Sequence, residues 1–237
     1  MTSTSIHPRT DQVAELTRGL ELPLPPISDI HLNIIAEGID RAFNEISSVQ
    51  PNTVASGTEA EVTALMEARL NLMVEQDPLW QQLVLCVARG KESVSFDGAH
   101  LEKRPDLSIY LSSRNRGFPL VAEAKILDEA TSKTEALYCK NGIRRFENGE
   151  YAWGNREAFM IGYVRDGSSI DAKLKPFMAK SMAQTPPTYL VEDLPIPIGS
   201  SGMDLAQSRH GRGFTYLAAS QPATQPGPIS IWHLWLP

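Results

Sequence analysis

Three residues in the middle of the chain have types and spacing that suit phosphoryl chemistry. Asp106 follows Pro105, and after sixteen intervening residues comes Glu123-Ala124-Lys125. In a strand, residues two apart project from one face, so Glu123 and Lys125 point together. A neighbouring strand lies about 4.8 Å away, so Asp106 can reach the same spot. Two carboxylates and one ammonium then converge. Hard oxygen ligands of this kind suit Mg²⁺ or Mn²⁺. Such a cation offsets charge on phosphoryl oxygens and lowers the pKa of a bound water, which Lys125 would position.

The flanking pattern provides elements to hold these groups. Asp106-Leu107-Ser108-Ile109-Tyr110-Leu111 alternates with period two, as a strand with one buried face does. Residues 118–127 read as the next strand, and charges in so apolar a run are costly unless paired or metal-bound. Ser93-Val94-Ser95-Phe96 also alternates and reads as a strand before them. Upstream, Ile30, Ile34, Ile35, Ile39, Phe43 and Ile46 mark a helix over 29–48, capped by Ser28 or Asp29. Thr58 opens a second helix with Val62, Leu65, Met66, Leu70 and Met73 on one side. Residues 79–88 are apolar and fit either helix or strand. Downstream, the pattern predicts a helix over 133–147, a buried strand over 159–164, and a helix over 168–182 that Pro176 must kink. Loops and strands follow, ending on Ile231-Trp232-His233-Leu234-Trp235-Leu236, with the aromatics expected in the core. Helices alternating with strands predict an α/β fold, a central mixed sheet flanked by helices.

Composition narrows the classes. The chain has 237 residues with a formal net charge of −6, which argues against binding nucleic acid by bulk charge alone. The charge is uneven: residues 1–80 hold four bases against twelve acids, and the rest hold eighteen against sixteen. Two cysteines and five histidines without ligand spacing exclude a disulfide scaffold and point away from zinc. No phosphate-binding glycine-rich loop and no Gly-x-Ser-x-Gly elbow occurs. Cys139, beside Lys140, reads as a structural thiol. Neither a signal sequence nor an 18-residue apolar run is present, so a cytoplasmic protein without membrane partners is expected. Residues 1–28, broken by Pro23, Pro25 and Pro26, read as a lead-in or arm, and residues 29–237 as one domain.

Pro105-Asp106 with Glu123-Ala124-Lys125, in two successive strands, resembles the PD-(D/E)XK nucleases, whose fold is restriction-endonuclease-like. The similarity covers about residues 58–165 and leaves 185–237 as a C-terminal extension. It implies an α-β-β-β-α-β core and a further metal ligand on the first core helix. Glu59-Ala60-Glu61-Val62 is similar to the pattern of resolvase-like members, which places that role on Glu59, with Glu61 and Glu67 as alternatives. The resemblance further implies a Mg-dependent deoxyribonuclease leaving a 5′-phosphate, with DNA as substrate. By family analogy it acts in prokaryotic restriction or phage defence. Double-strand cutting with one site per chain implies a homodimer, or else a subunit of a larger defence complex.

Two basic clusters accompany the signature. Residues 133–180 hold nine bases against six acids, and the resemblance puts the helix after Glu-x-Lys beside phosphate. Lys140, Arg144 and Arg145 have helical spacing for that role, or for an ordinary solvated face. Ser208-Arg209-His210-Gly211-Arg212 reads as a loop. Arg209 and Arg212 there either contact phosphate or tie the loop to the body, and the second reading is favoured. The loop and the aromatic C-terminal segment are expected to form a unit. Two rivals stand beside the nuclease: a non-catalytic subunit of the same fold for nucleic-acid binding or assembly, and an unrelated α/β protein with an accidental signature.

Overall fold

The computed structural model describes residues 10–99, 103–199, 202–216 and 224–237. The first nine residues of the expected lead-in lie outside them. In chain order come α1 (Thr10–Thr17), α2 (Asp29–Val49), α3 (Pro51–Ser56), α4 (Glu59–Gln76), α5 (Pro78–Leu83), β1 (Val84–Arg89), β2 (Leu107–Leu111) and β3 (Leu120–Leu127). After a short turn, α6 (Glu135–Tyr138) runs through one wide π turn, Cys139–Ile143, into α7 (Arg144–Glu147). Then follow β4 (Glu157–Val164), a π turn Ile170–Leu174 leading into α8 (Lys175–Met182), β5 (Val191–Pro197), β6 (Asp204–His210) and β7 (Ile229–Leu236).

The seven strands form one mixed sheet in the order β1-β2-β3-β4-β7-β6-β5. β3, β4 and β7 are parallel at its centre, and the outer pairs are antiparallel. From α4 to β4 come a long and a short helix, three strands, a broken helical stretch and a strand, and the first of the three strands is β1 rather than the expected 93–96. The C-terminal strands extend this same sheet.

Helices cover both faces. The α2 stripe Ile35, Ile39 and Phe43 and the α4 stripe Val62, Met66 and Leu70 pack on Ile109, Ala122, Ala124 and Ile161. Tyr138, Ile143, Phe146, Leu174 and Met178 pack on Val121, Met160 and Trp235 from the other side. β4 is buried along its whole length, as a parallel strand between two helical layers must be. The expected lead-in is docked rather than free between Leu24 and Pro25. Leu24 N donates to Gly154 O at 2.8 Å, and Arg114 Nη1 donates to Pro25 O at 2.6 Å.

Two expectations need correction. Residues 93–96 are not a strand; Ser93 makes only an isolated bridge to Lys103, and Phe96 stacks on Phe214. The place beside β2 is taken by β1, from the ambiguous 79–88 run. Asp77 caps α5 through the backbone N–H groups of Leu79 and Trp80, Pro78 begins it, and the chain turns extended at Val84. Asn71 on α4 then bonds Val87 N and O at 2.9 and 2.7 Å, which closes the outer edge of β1 there. The second correction is Ser208–His210, which is strand rather than loop. β6 does pair with β7, and Trp232 and Trp235 of β7 are buried in the core.

Candidate active site

β3 outruns its neighbour. The pairing of β2 with β3 ends at Leu107 opposite Ala122, so the β3 N–H groups of Ala124 and Ile126 have no strand partner on that side. Side chains take the missing strand's place. Asp106 Oδ2 accepts from Ala124 N at 2.8 Å, and Glu59 Oε2 accepts from Ile126 N at 3.3 Å. Glu59 arrives there as the first residue of α4. Thr58 and Glu61 form a reciprocal capping box that fixes this helix start.

Lys125 joins the three acids. Its Nζ lies 2.9 Å from Glu59 Oε1, 3.4 Å from Asp106 Oδ2 and 3.0 Å from Glu123 Oε1, and also donates to the Ala124 carbonyl. Glu123 is 1% exposed, against 34% for Glu59 and 26% for Asp106. The wide turn between α6 and α7 brings the backbone close to it. A Cβ on Gly142 would run into Met160 and sit 3.8 Å from Glu123 Cγ. α7 then delivers Arg145, whose Nη1 lies 3.1 Å from Glu123 Oε1 and donates to Tyr151 Oη at 2.6 Å.

The site is one positive charge short. Three carboxylates face Lys125 and Arg145. Burial first, then the Asp106 carboxylate, push the Glu123 carboxyl up to about 7, although Lys125 and Arg145 pull the other way. Burial would lower the Lys125 ammonium, but Glu123, Asp106 and Glu59 outweigh it and hold it above its ordinary value. Glu123 Oε2 is buried with no hydrogen-bond partner. Among the described residues no three acids, histidines or cysteines stand as a ready cation cage, because the carboxylates turn to Lys125. The donors nevertheless suit a hard cation: all are oxygens, the charge deficit is negative, and one buried oxygen is orphaned.

The remaining sequence candidates separate clearly. Glu61 is spent on the capping box, and Glu67 pairs with Arg89 across α4 and β1, so neither joins the cluster. Lys140 is exposed, as is Arg144, whose guanidinium lies 5.2 Å from the Tyr189 ring centre. Arg145 was a candidate for phosphate, but its partner is Glu123. Arg209 pairs with Glu192 at 3.0 Å on β6, three strands from β3. Arg212 donates to the carbonyls of Trp153, Asn155 and Pro228, and burial pushes its pKa down to about 10. It ties the loop to the body. Tyr151, the phenol that holds Arg145, had no signal of its own; it lies six residues beyond Arg145, past the helix end.

A second polar cluster lies in the core. Tyr138 Oη meets His233 Nδ1 at 2.9 Å, His233 Nε2 meets Ser208 Oγ at 2.7 Å, and Ser208 Oγ meets His210 Nε2 at 2.8 Å. His210 Nδ1 lies 2.8 Å from the Tyr189 carbonyl. With both rings neutral, His233 Nε2 donates to Ser208, Ser208 to His210 Nε2 and His210 Nδ1 to the Tyr189 carbonyl, while the one Tyr138 hydroxyl proton is shared between His233 Nδ1 and the Met160 carbonyl at 3.0 Å. This network pins α6, at the start of the helical stretch that carries Arg145, onto β6 and β7.

Fold and site together define an α/β protein with a carboxylate–lysine cluster where a central strand outruns its neighbour. Comparison with family models, curated proteins and solved structures gives no match for this chain.

Proposed function

We propose that the protein is a metal-dependent nuclease with a restriction-endonuclease-like core, hydrolysing phosphodiester bonds in DNA. The observation that carries this reading is the cluster itself: Asp106 just before β2, Glu123 and Lys125 on the adjacent β3, Lys125 within 3.4 Å of both acids, and Glu59 brought in by a helix start. The order from α4 to β4 agrees with it.

Glu59, Asp106 and Glu123 would hold Mg²⁺ or Mn²⁺. When bound, the cation supplies charge for the phosphoryl oxygens and acidity for a water. The chain's own residues do the rest. Ala124 N orients Asp106, Arg145 favours the ionised form of Glu123, and Lys125 orients the attacking water. The water oxygen bonds to phosphorus while the bond to the 3′ oxygen breaks, leaving a 5′-phosphate and a 3′-hydroxyl. Lys140 and Arg144, exposed on the neighbouring helical stretch, would contact backbone phosphates. Restriction or phage defence, as a homodimer or within a larger complex, is the setting this chemistry suits.

The test is cleavage of plasmid and single-stranded DNA with Mg²⁺ or Mn²⁺. Wild type should cut and Lys125→Ala should not, with its circular dichroism unchanged. Full activity in that variant overturns the assignment. A second reading, a non-catalytic binding or assembly subunit, has one observation in its favour: Asp106 and Glu59 also serve as caps on the exposed edge of β3. Calorimetry separates the two. The nuclease binds Mn²⁺ and loses it in Asp106→Asn; the assembly subunit binds none.

A further inference from the structure

A cavity of about 240 Å³ opens next to the cluster on the same face of the sheet. Its floor is Ser108, Tyr110 and Val121. Ser108 lies two residues beyond Asp106 and opposite Val121, which lies two residues before Glu123. Strand geometry therefore sets floor and carboxylates about 7 Å apart. That is the scale of the step from a backbone phosphate to its own base. The volume falls below the roughly 300–1,000 Å³ of sites for drug-sized ligands, so it suits one flat ring system.

The walls have matching chemistry. Phe118 and Trp153 form an edge-to-face corner with centroids 4.9 Å apart. Trp153 is fixed by Nε1 donating to Val94 O at 2.8 Å, and its carbonyl accepts from Arg212 and Tyr216. The corner is thus preorganised. Opposite the apolar wall, the exposed Lys91 ammonium bonds Tyr110 Oη at 2.6 Å, offering donors to ring carbonyls and nitrogens. Leu16 of α1 lines it as well.

We infer that this cavity takes an unpaired nucleobase of the strand being cut, so that the substrate is single-stranded or locally unpaired DNA. The inference rests on the nuclease reading. A paired base cannot enter this half-open pocket without leaving the stack, which favours DNA already open. Lys91 and Tyr110 give it hydrogen-bond donors, and the Phe118–Trp153 corner gives it an apolar bed.

The experiment is an abasic scan of a single-stranded oligonucleotide with one mapped cut. Removing the base at one position beside the cut should slow cleavage by about 5- to 150-fold, the range that base–aromatic contacts confer. Removal elsewhere should have little effect. Lys91→Ala, an exposed change that spares the core, should slow cleavage of the intact strand and add nothing on that abasic strand. Equal cleavage at every abasic position, or fully additive effects of Lys91→Ala, overturns the pocket and leaves the nuclease intact. If no DNA is cut with any metal, the nuclease reading falls. Equilibrium dialysis with deoxynucleoside 5′-monophosphates then decides the pocket: saturable binding weakened by Lys91→Ala supports it, and no binding overturns it.

Discussion

Glu123→Gln should stabilise the metal-free protein at alkaline pH while removing metal binding and cleavage. The sign follows from the raised carboxyl. Its ordinary value is 4.5 and its folded value about 7, so the folded state keeps a proton that the unfolded state releases. Stability is therefore fully present below the unfolded value and lost as pH rises through the folded one. With about 1.4 kcal/mol per unit, the penalty is about 1.4 kcal/mol near pH 5.5 and about 3.3 kcal/mol near pH 8. Glutamine cannot ionise, so wild type should lose about 2 kcal/mol relative to Glu123→Gln between those conditions. Taking the difference between two pH values cancels any fixed cost of fitting the amide beside Lys125 and Arg145. Urea unfolding of both proteins without divalent cations measures it. Adding Mg²⁺ near pH 8 should raise wild type, whose ionised Glu123 the cation pairs, and leave the variant unmoved. Parallel pH profiles for the two proteins would refute the claim that Glu123 is held ionised at a cost.

The buried histidines act in the opposite direction. Burial pushes His210 down to about 4 from 6.5, so its contribution is present above 6.5 and lost as pH falls. Wild type should lose about 2 kcal/mol from His210 alone near pH 5, and His210→Asn should flatten the acid limb in urea unfolding. Arg145→Met should leave Glu123 harder to ionise, so the alkaline rise of cleavage should begin at higher pH, whereas Arg144→Met should not move it. A pH–rate profile of the two variants separates them. Thr58→Ala removes a capping box and should cost about 1 kcal/mol in a thermal or urea melt. Because it loosens the helix start that presents Glu59, cleavage should also fall, and Thr58→Ser should restore both.

Much of the fold was legible because it rests on local periodicity. The α4 positions Val62, Met66, Leu70 and Met73 are buried where the sequence places them, with Leu65 only partly covered, and the run after Asp106 is β2, buried on both faces rather than one. The convergence of Asp106, Glu123 and Lys125 follows from strand period and spacing alone. What was not legible depends on partners far along the chain. Val84–Arg89 is a strand partly because Asn71, sixteen residues before Val87, can close its outer edge. Ser208 and His210 read as loop residues because they are polar. They are strand residues because His233, twenty-five residues past Ser208, and the Tyr189 carbonyl satisfy them inside the core. Arg145 carries the same lesson at the site. Helical spacing marks it as basic and surface-facing, and nothing local says that the wide turn at Gly142 swings it onto a buried Glu123.

The same reasoning explains why the acids stand where they do. Local pattern favours strand, but β2 begins only at Leu107, one residue after Asp106, and the β3 N–H groups beyond its start need acceptors. Carboxylates at Asp106 and Glu59 meet that need, and the Asp106 charge also pushes on Glu123, which burial already makes hard to ionise. Lys125 and Arg145 offset only part of it. A fold selected for stability alone could close this edge with neutral acceptors and put an apolar residue at Glu123, at little cost. Retaining two further acids beside one buried, half-satisfied carboxylate makes sense if a cation completes the set, and that makes the pH-dependent cost of Glu123 the most direct physical signature of the site.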